Sequence, residues 1–297
     1  MISLILSIIF TVFLFVCFKE FEKREINTHQ AITINYITAS FLAYIINYND
    51  INIIDLISSN WIDDNNEFLT NEFYFLFSTI FLGVFFVIMF NIMAITTQRL
   101  GISIASLSSK ISLIIPVLTS LLIYENTKFY FINGLGILLA MISVYFTLKK
   151  DVKLSYPITI AIILFFGAGL LDTSLDFIQY NFIKSNSDSY NFIVIVFFSA
   201  FIAGFLKIIF GNHKIQLKNI YSGIILGIPN YLSIYFVLEA LDQLGGITVF
   251  PVLNIGVVLI SAIISFIYYK EKINFINWIG ISLVCVSIFL ILYKYDV

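Results

Sequence analysis

Apolar runs of about 17–25 residues, each long enough to cross a bilayer, recur from one end of this chain to the other. No other feature constrains the fold as strongly. Hydrocarbon offers no water to backbone N–H and C=O groups, so such a run must be a helix that makes its own hydrogen bonds. Hydropathy marks ten segments: 2–18, 30–48, 73–95, 102–123, 130–148, 157–180, 190–210, 219–240, 247–269 and 274–293. Of the 297 residues, 60% are hydrophobic and 11% charged, whereas a soluble domain carries about a quarter charged residues. Too little polar surface remains to cover a water-soluble globule. The chain is expected to be an all-α integral membrane protein of ten transmembrane helices.

The N-terminal MISLILSIIFTVFLFVCF has no basic n-region and no small-residue cleavage site. It reads as the first span and not as a removable signal. Cys17 and Cys285 both lie inside apolar runs and read as small apolar residues, not as a disulfide or metal pair. The one long connection, 49–71, contains NWIDDNNEF and reads as an acidic, solvated loop. No Lys/Arg-rich tract suggests nucleic acid. The abundance of Ile, Phe, Asn and Tyr points to an AT-rich genome, hence a bacterium and its cell (inner) membrane.

The two halves of the chain are similar. Residues 121–148 align with 266–292, with Glu125 on Glu271, Phe129 on Phe275 and Gly134 on Gly280, and QRLGIS (98–103) meets QLGGIT (243–248). This divides the chain into two five-helix repeats, 1–150 and 151–297. An odd number of spans per repeat inverts the second copy in the membrane. The basic residues agree with that. Alternate connections hold twelve of them: Lys19, Lys23, Arg24, Arg99, Lys149, Lys150, Lys153, Lys207, Lys214, Lys218, Lys270 and Lys272. The opposite side holds only Lys128, Lys184 and Lys294. Since cytoplasmic loops carry the excess of Lys and Arg, both termini are expected outside. Inverted repeats with sites near the midplane are a pattern of secondary transporters.

PVLTSLLIYENTKFYFINGLG (116–136) and IISFIYYKEKINFINWIGI (263–281) share a pattern: an apolar helix, Tyr and Glu in a short polar turn, then Gly in the next apolar helix. With VFPVLNIGVVLISAIISFIYYKEK (249–272), this pattern resembles the EamA family of the drug/metabolite transporter superfamily. The resemblance implies a ten-helix, five-plus-five inverted fold around a central cavity, with helices 3, 4, 8 and 9 prominent. It also implies export or exchange of small metabolites.

Lys110 stands in the middle of a span, in ASLSSKISLIIPV (105–117). A charge at that depth is costly and marks a functional site by default. Along an ideal helix it is roughly 16 Å from Arg99 and 22 Å from Glu125, beyond easy snorkelling. Ser103 and Ser106 share its face, while Ser108, Ser112 and Thr119 form a second polar stripe. Lys110 reads as lining the cavity and binding an anionic group such as a carboxylate, or as a titrating group. The structural alternative is a lysine paired with a buried carboxylate.

In the sixth span Asp172, Asp176 and Gln179 share a face. Asp172 can pair with Lys110 or carry a coupling proton, and Asp176 reads as interfacial. Pro229 and Pro251 lie within spans eight and nine, where proline frees a carbonyl and kinks a helix. Asn230 and Asn254 follow these prolines as polar wall residues, with Tyr231 and Asn91 as further candidates. Glu125 and Glu271 mark loop turns and read as structural. Glu239 and Asp242 read as solvated.

No His/Cys/Asp/Glu cluster has metal spacing, and no G-x-S-x-G, H-E-x-x-H or P-loop occurs, so neither an enzyme nor a cofactor is expected. The residues point to a secondary transporter of a small polar or amphipathic metabolite, with amino acids or derivatives as the leading class. Proton coupling is one mode, and simple facilitation or exchange another. A multidrug exporter and a flippase of a lipid-linked carrier are the alternatives. Substrate identity and oligomeric state have no signature in the residues.

Overall fold

The computed structural model describes residues 1–53, 56, 70–123, 130–148, 158–211, 215–244, 246–271 and 273–292. Their regular structure is helical: α1 (Ile2–Lys23), α2 (Thr28–Ile46), α3 (Asn71–Leu100), α4 (Ile102–Ile111), α5 (Ile114–Ile123), α6 (Phe131–Leu148), α7 (Thr159–Phe182), α8 (Asn186–Phe210), α9 (Leu217–Leu244), α10 (Gly246–Ile267) and α11 (Phe275–Leu292), with one 3-10 turn at Tyr48–Asp50.

Among the described residues five helices are long and apolar enough to cross a membrane: α1, α3, α7, and most of α8 and α9. Shorter apolar stretches cover Ile102–Pro116, Phe131–Ala140, Val252–Ile267 and Phe275–Leu290. The expected second span is a helix but does not reach that apolar level. Its Gln30, Thr33, Asn35 and Ser40 are all buried, so α2 turns polar side chains inward. Outward faces are apolar instead. On α3, Phe77 is 63% and Phe81 68% exposed, with Val84 and Ile88 continuing the stripe. Water would drive such a face to aggregate, whereas acyl chains accept it. The chain is a multi-pass helical membrane protein.

One expected span is interrupted. The run 102–123 is two helices, separated by a turn at Ser112–Leu113. Leu113 N donates to Lys110 O at 3.4 Å and Ile115 N to Ser112 O at 2.9 Å. Ser106, Ser109 and Ser112 each donate a hydroxyl to the carbonyl three residues back. Serines that bond back in this way compete with the helical ladder and bend it. The ideal-helix spacing from Lys110 towards Glu125 therefore does not hold, and Thr119 lies beyond the break, off the stripe expected with Ser108 and Ser112.

The chain forms two compact units, each drawing on both halves of the sequence. Unit 1 is Met1–Glu25, Ile92–Thr173 and Leu232–Val297; unit 2 is Ile26–Asn91 and Ser174–Tyr231.

The core of unit 1 joins five helices through Leu107, Ile111, Ile114, Ala140, Val258, Ala262, Ile281, Val284 and Ile288. Helix α1 closes on α10 at Gly256, where an added Cβ would lie 2.7 Å from Ile8 Cδ1. Helices α6 and α11 run antiparallel and are clasped at both ends. Asn133 accepts from Tyr130 N at 2.9 Å and donates to Leu290 O at 3.1 Å. Asn277 accepts from Asn274 N at 3.0 Å and donates to Phe146 O at 3.2 Å. Each asparagine thus caps its own helix and bonds the far end of the other. The equivalence spaces the halves by 144 residues here, from Asn133 to Asn277. The Gly134–Gly280 register of 146 is corrected accordingly: in the sequence Asn133 follows Glu125 by eight residues, whereas Asn277 follows Glu271 by six.

Unit 2 is built around Tyr36, fully buried between the rings of Phe90 and Phe197, with its hydroxyl donating to Phe86 O at 3.1 Å. Helices α2 and α9 run in the same direction, with Gly223 against Ala31 and Gly227 against Asn35. An added Cβ at Gly227 would lie 2.6 Å from Thr38 Cβ. This is the close helix packing that small residues four apart allow. Asn219 joins the same pair by donating to Gln30 Oε1 at 2.6 Å.

Candidate functional site

The break in the fourth expected span falls at Ser112–Leu113, just past Lys110. That lysine occupies the last turn of α4, where unpaired carbonyls and the negative end of the helix dipole favour a cation. Its surroundings are polar. Ser109 is half-buried beside it, and Ser106 Oγ shares a short hydrogen bond with Ser261 Oγ of α10. Discontinuous membrane helices recur at transporter binding sites, because their exposed ends present backbone dipoles to a solute.

Asp172 is the charge that acts on Lys110, and Lys110 the charge that acts on Asp172. Both side chains are half-buried. No ion pair of 4.0 Å or less joins them; among the described residues such pairs are Lys19–Glu22, Lys23–Glu20 and Arg24–Glu20, all near the end of α1. The two charges therefore act on each other without forming a close ion pair. Helix α7 brings Asp172 there by packing on α5. A Cβ at Gly169 would lie 2.3 Å from Ile115 Cδ1, and one turn later Thr119 and Thr173 hydroxyls meet at 3.5 Å. The same spacing along both helices means they run in parallel.

Four of the sequence candidates, Lys110, Ser106, Asp172 and Asn254, fall in unit 1. Asn254 is buried on α10, seven residues before Ser261. The other three, Asn91, Asn230 and Tyr231, fall in unit 2. There Asn91 donates to Val87 O at 2.7 Å and meets His29 Nδ1 at 3.3 Å. Tyr231 is buried and its hydroxyl accepts from Asn47 Nδ2 at 3.5 Å. Asn230 is buried one residue after Pro229, which lies inside the continuous helix α9. Asp176 is exposed. Glu239 accepts from Gln243 at 3.2 Å. Glu125 lies outside the described residues.

Sequence reasoning missed Ser261 and Thr173 as partners around the break, and placed Thr119 only on a polar stripe. It also missed what Glu271 does. The Glu271 carboxylate accepts from Ile102 N at 3.1 Å and from Ser265 Oγ, capping the first turn of α4. Gly101 lies in the QRLGIS–QLGGIT alignment, yet nothing local to it names its partner.

A half-buried lysine and aspartate thus lie beside an interrupted helix within unit 1. Residues 159–293 match the model of the EamA-like transporter family. An uncharacterized protein of Haemophilus influenzae (strain ATCC 51907 / DSM 11121 / KW20 / Rd) is 26% identical over 302 residues, spanning 98% of this chain and 97% of that protein. Over residues 159–293, somewhat less than half of its length, the chain is thus similar to EamA-like transporters.

Proposed function

We propose that the protein is a secondary transporter that exports or exchanges a small polar or amphipathic metabolite by alternating access, amino acids or their derivatives being the leading class. Lys110 receives the anionic group of the substrate. Asp172 is its counter-charge when the site is empty and the carrier of a coupling proton. Ser106 and Asn254 supply neutral hydrogen-bonding groups in the same unit. Asn91, Asn230 and Tyr231 are proposed as contacts on sequence grounds alone. The observation that carries this reading is two half-buried opposite charges, Lys110 and Asp172, that act on each other with no ion pair of 4.0 Å or less, beside the break between α4 and α5. A sealed ion pair would satisfy both charges and leave no reason to bind a third.

The proposed frame is ten spans in two inverted five-helix repeats, 1–150 and 151–297, in a bacterial inner membrane with both termini outside. The antiparallel clasp of α6 and α11 supports it, because spans five and ten are the same element of the two repeats and inversion requires them to run in opposite directions.

The test is a thermal-shift screen of the purified protein against metabolites, with Lys110→Ala beside the wild type. A ligand that binds the folded state raises Tm by mass action. Stabilisation of the wild type by carboxylate-bearing metabolites, lost in a folded Lys110→Ala variant, is the expected result. Equal stabilisation of both proteins would show that Lys110 does not bind the ligand.

A further inference from the structure

We propose that Glu271 is a positioning residue for Lys110, acting through the whole length of α4. It deepens the reading of Lys110 as the anion-binding group and rests on it. Helix α4 begins at Gly101, which has no side chain to cap the free N–H groups of the first turn. The cap comes instead from Glu271, 169 residues further along the chain, whose carboxylate accepts from Ile102 N. A carboxylate at that end also favours the helix dipole.

Three features show that the contact is built. Gly101 has φ +101°, a conformation that L side chains rarely adopt, and its missing Cβ leaves the room that the carboxylate fills. Lys270 is held at φ +51°, an uncommon conformation for a residue other than glycine. With it, Glu271 N donates to Ser265 O at 3.1 Å and the chain folds back towards α4. Ser265 Oγ then donates to the carboxylate and fixes its aim.

Both sides of the cap are tied to the end of α1. Tyr269 donates its hydroxyl to Glu20 at 3.0 Å, and Lys23 lies over the Tyr268 and Tyr269 rings. Lys19 donates to Gln98 O at 2.8 Å, and Gln98 Nε2 to Phe18 O at 3.1 Å.

Helix α4 has ten residues, about 15 Å of uninterrupted helix. One end is held by Glu271, and the other ends at the break beside Lys110. Where Glu271 sets the first turn, the last turn follows. Glu271 thereby couples the loop after α10 to the position of the lysine.

The experiment uses the full-length protein in lipid nanodiscs. Lys110→Cys, in a background of Cys17→Ala and Cys285→Ala, reports the position of the last turn through its rate of maleimide labelling. Hydrogen exchange of the first turn, residues 102–105, reports the cap. Glu271→Ala is expected to raise that exchange on the order of tenfold, the ratio that loss of one helix cap corresponds to. It is also expected to change the labelling rate by at least a few-fold. Glu271→Gln, which keeps an acceptor oxygen, is expected to fall between, and it carries both readouts should the alanine variant fail to fold. Asn277→Ala, which weakens the α6–α11 clasp instead, is expected to leave both unchanged. Unchanged exchange at 102–105 overturns the cap. Raised exchange with unchanged labelling overturns the positioning role. Neither readout needs a ligand, so failure here is distinct from failure of the anion-site reading, which the ligand screen decides.

Discussion

Asn133 and Asn277 make the same two hydrogen bonds at opposite ends of one helix pair: each holds the first turn of its own helix, and each donates to a carbonyl in the last turn of the other. Replacing either by alanine removes a cap and an interhelical bond together. Each single variant is expected to lose about 1–2 kcal/mol. The two ends are separated by most of the helix length, so the double variant is expected to lose about the sum. Thermal unfolding in detergent, with all four proteins side by side, checks both statements.

Lys110 and Asp172 are expected to be energetically coupled, since each lies within electrostatic reach of the other. Truncating one leaves the other as an uncompensated half-buried charge, and breaking such a pair costs more than replacing both partners with apolar groups. Lys110→Met and Asp172→Leu are each expected to lower Tm, and the double variant to recover part of the loss. The double-mutant cycle should give a coupling of about 1–3 kcal/mol. Additive effects would show that the two charges do not sense each other.

Asp172→Asn is expected to abolish substrate movement driven by a proton gradient in proteoliposomes while leaving ligand stabilisation of the purified protein in place. The amide keeps the size and polarity of the side chain but cannot gain or lose the proton. Gradient-driven transport that survives the change removes Asp172 as the proton carrier.

Gly101→Ala is expected to destabilise by at least about 1 kcal/mol, since it combines a left-handed backbone with a collision against Glu271. Adding Glu271→Ala relieves the collision but not the backbone conformation. The double variant is therefore expected to lose less than the two single losses combined. Chemical or thermal denaturation of the three variants measures this.

Gly227→Leu is expected to cost about 1–3 kcal/mol by overpacking α9 against α2. A Cβ there would already stand 2.8 Å from Asn35 O. Ile225→Val, on the exposed face of the same helix, is expected to change Tm little. Equal effects at the two positions would show that the Gly227 face is not packed.

Much of the architecture is written in local composition. Apolar runs must be helical in hydrocarbon, and helices form where the runs lie. The cost of Lys110 at depth follows from its neighbours in sequence, and the face shared by Asp172 and Asp176 follows from helical spacing. Gly223 and Gly227 announce close packing by their four-residue separation. These are properties of a residue and its near neighbours, so the sequence by itself determines them.

The tertiary structure decided what depends on partners far along the chain. The break after Lys110 leaves hydropathy unchanged, because a turn within an apolar run is as apolar as a helix. It shows only in where Ser109 and Ser112 send their hydroxyls. Asp172 comes within electrostatic reach of Lys110 because Gly169 lets α7 approach Ile115. Glu271 reads as a turn residue until folding brings it to Ile102, and Asn133 matches Asn277 only once each reaches the other's helix. A hydrogen bond has no sequence signature when its two ends are 169 residues apart; packing alone brings them together.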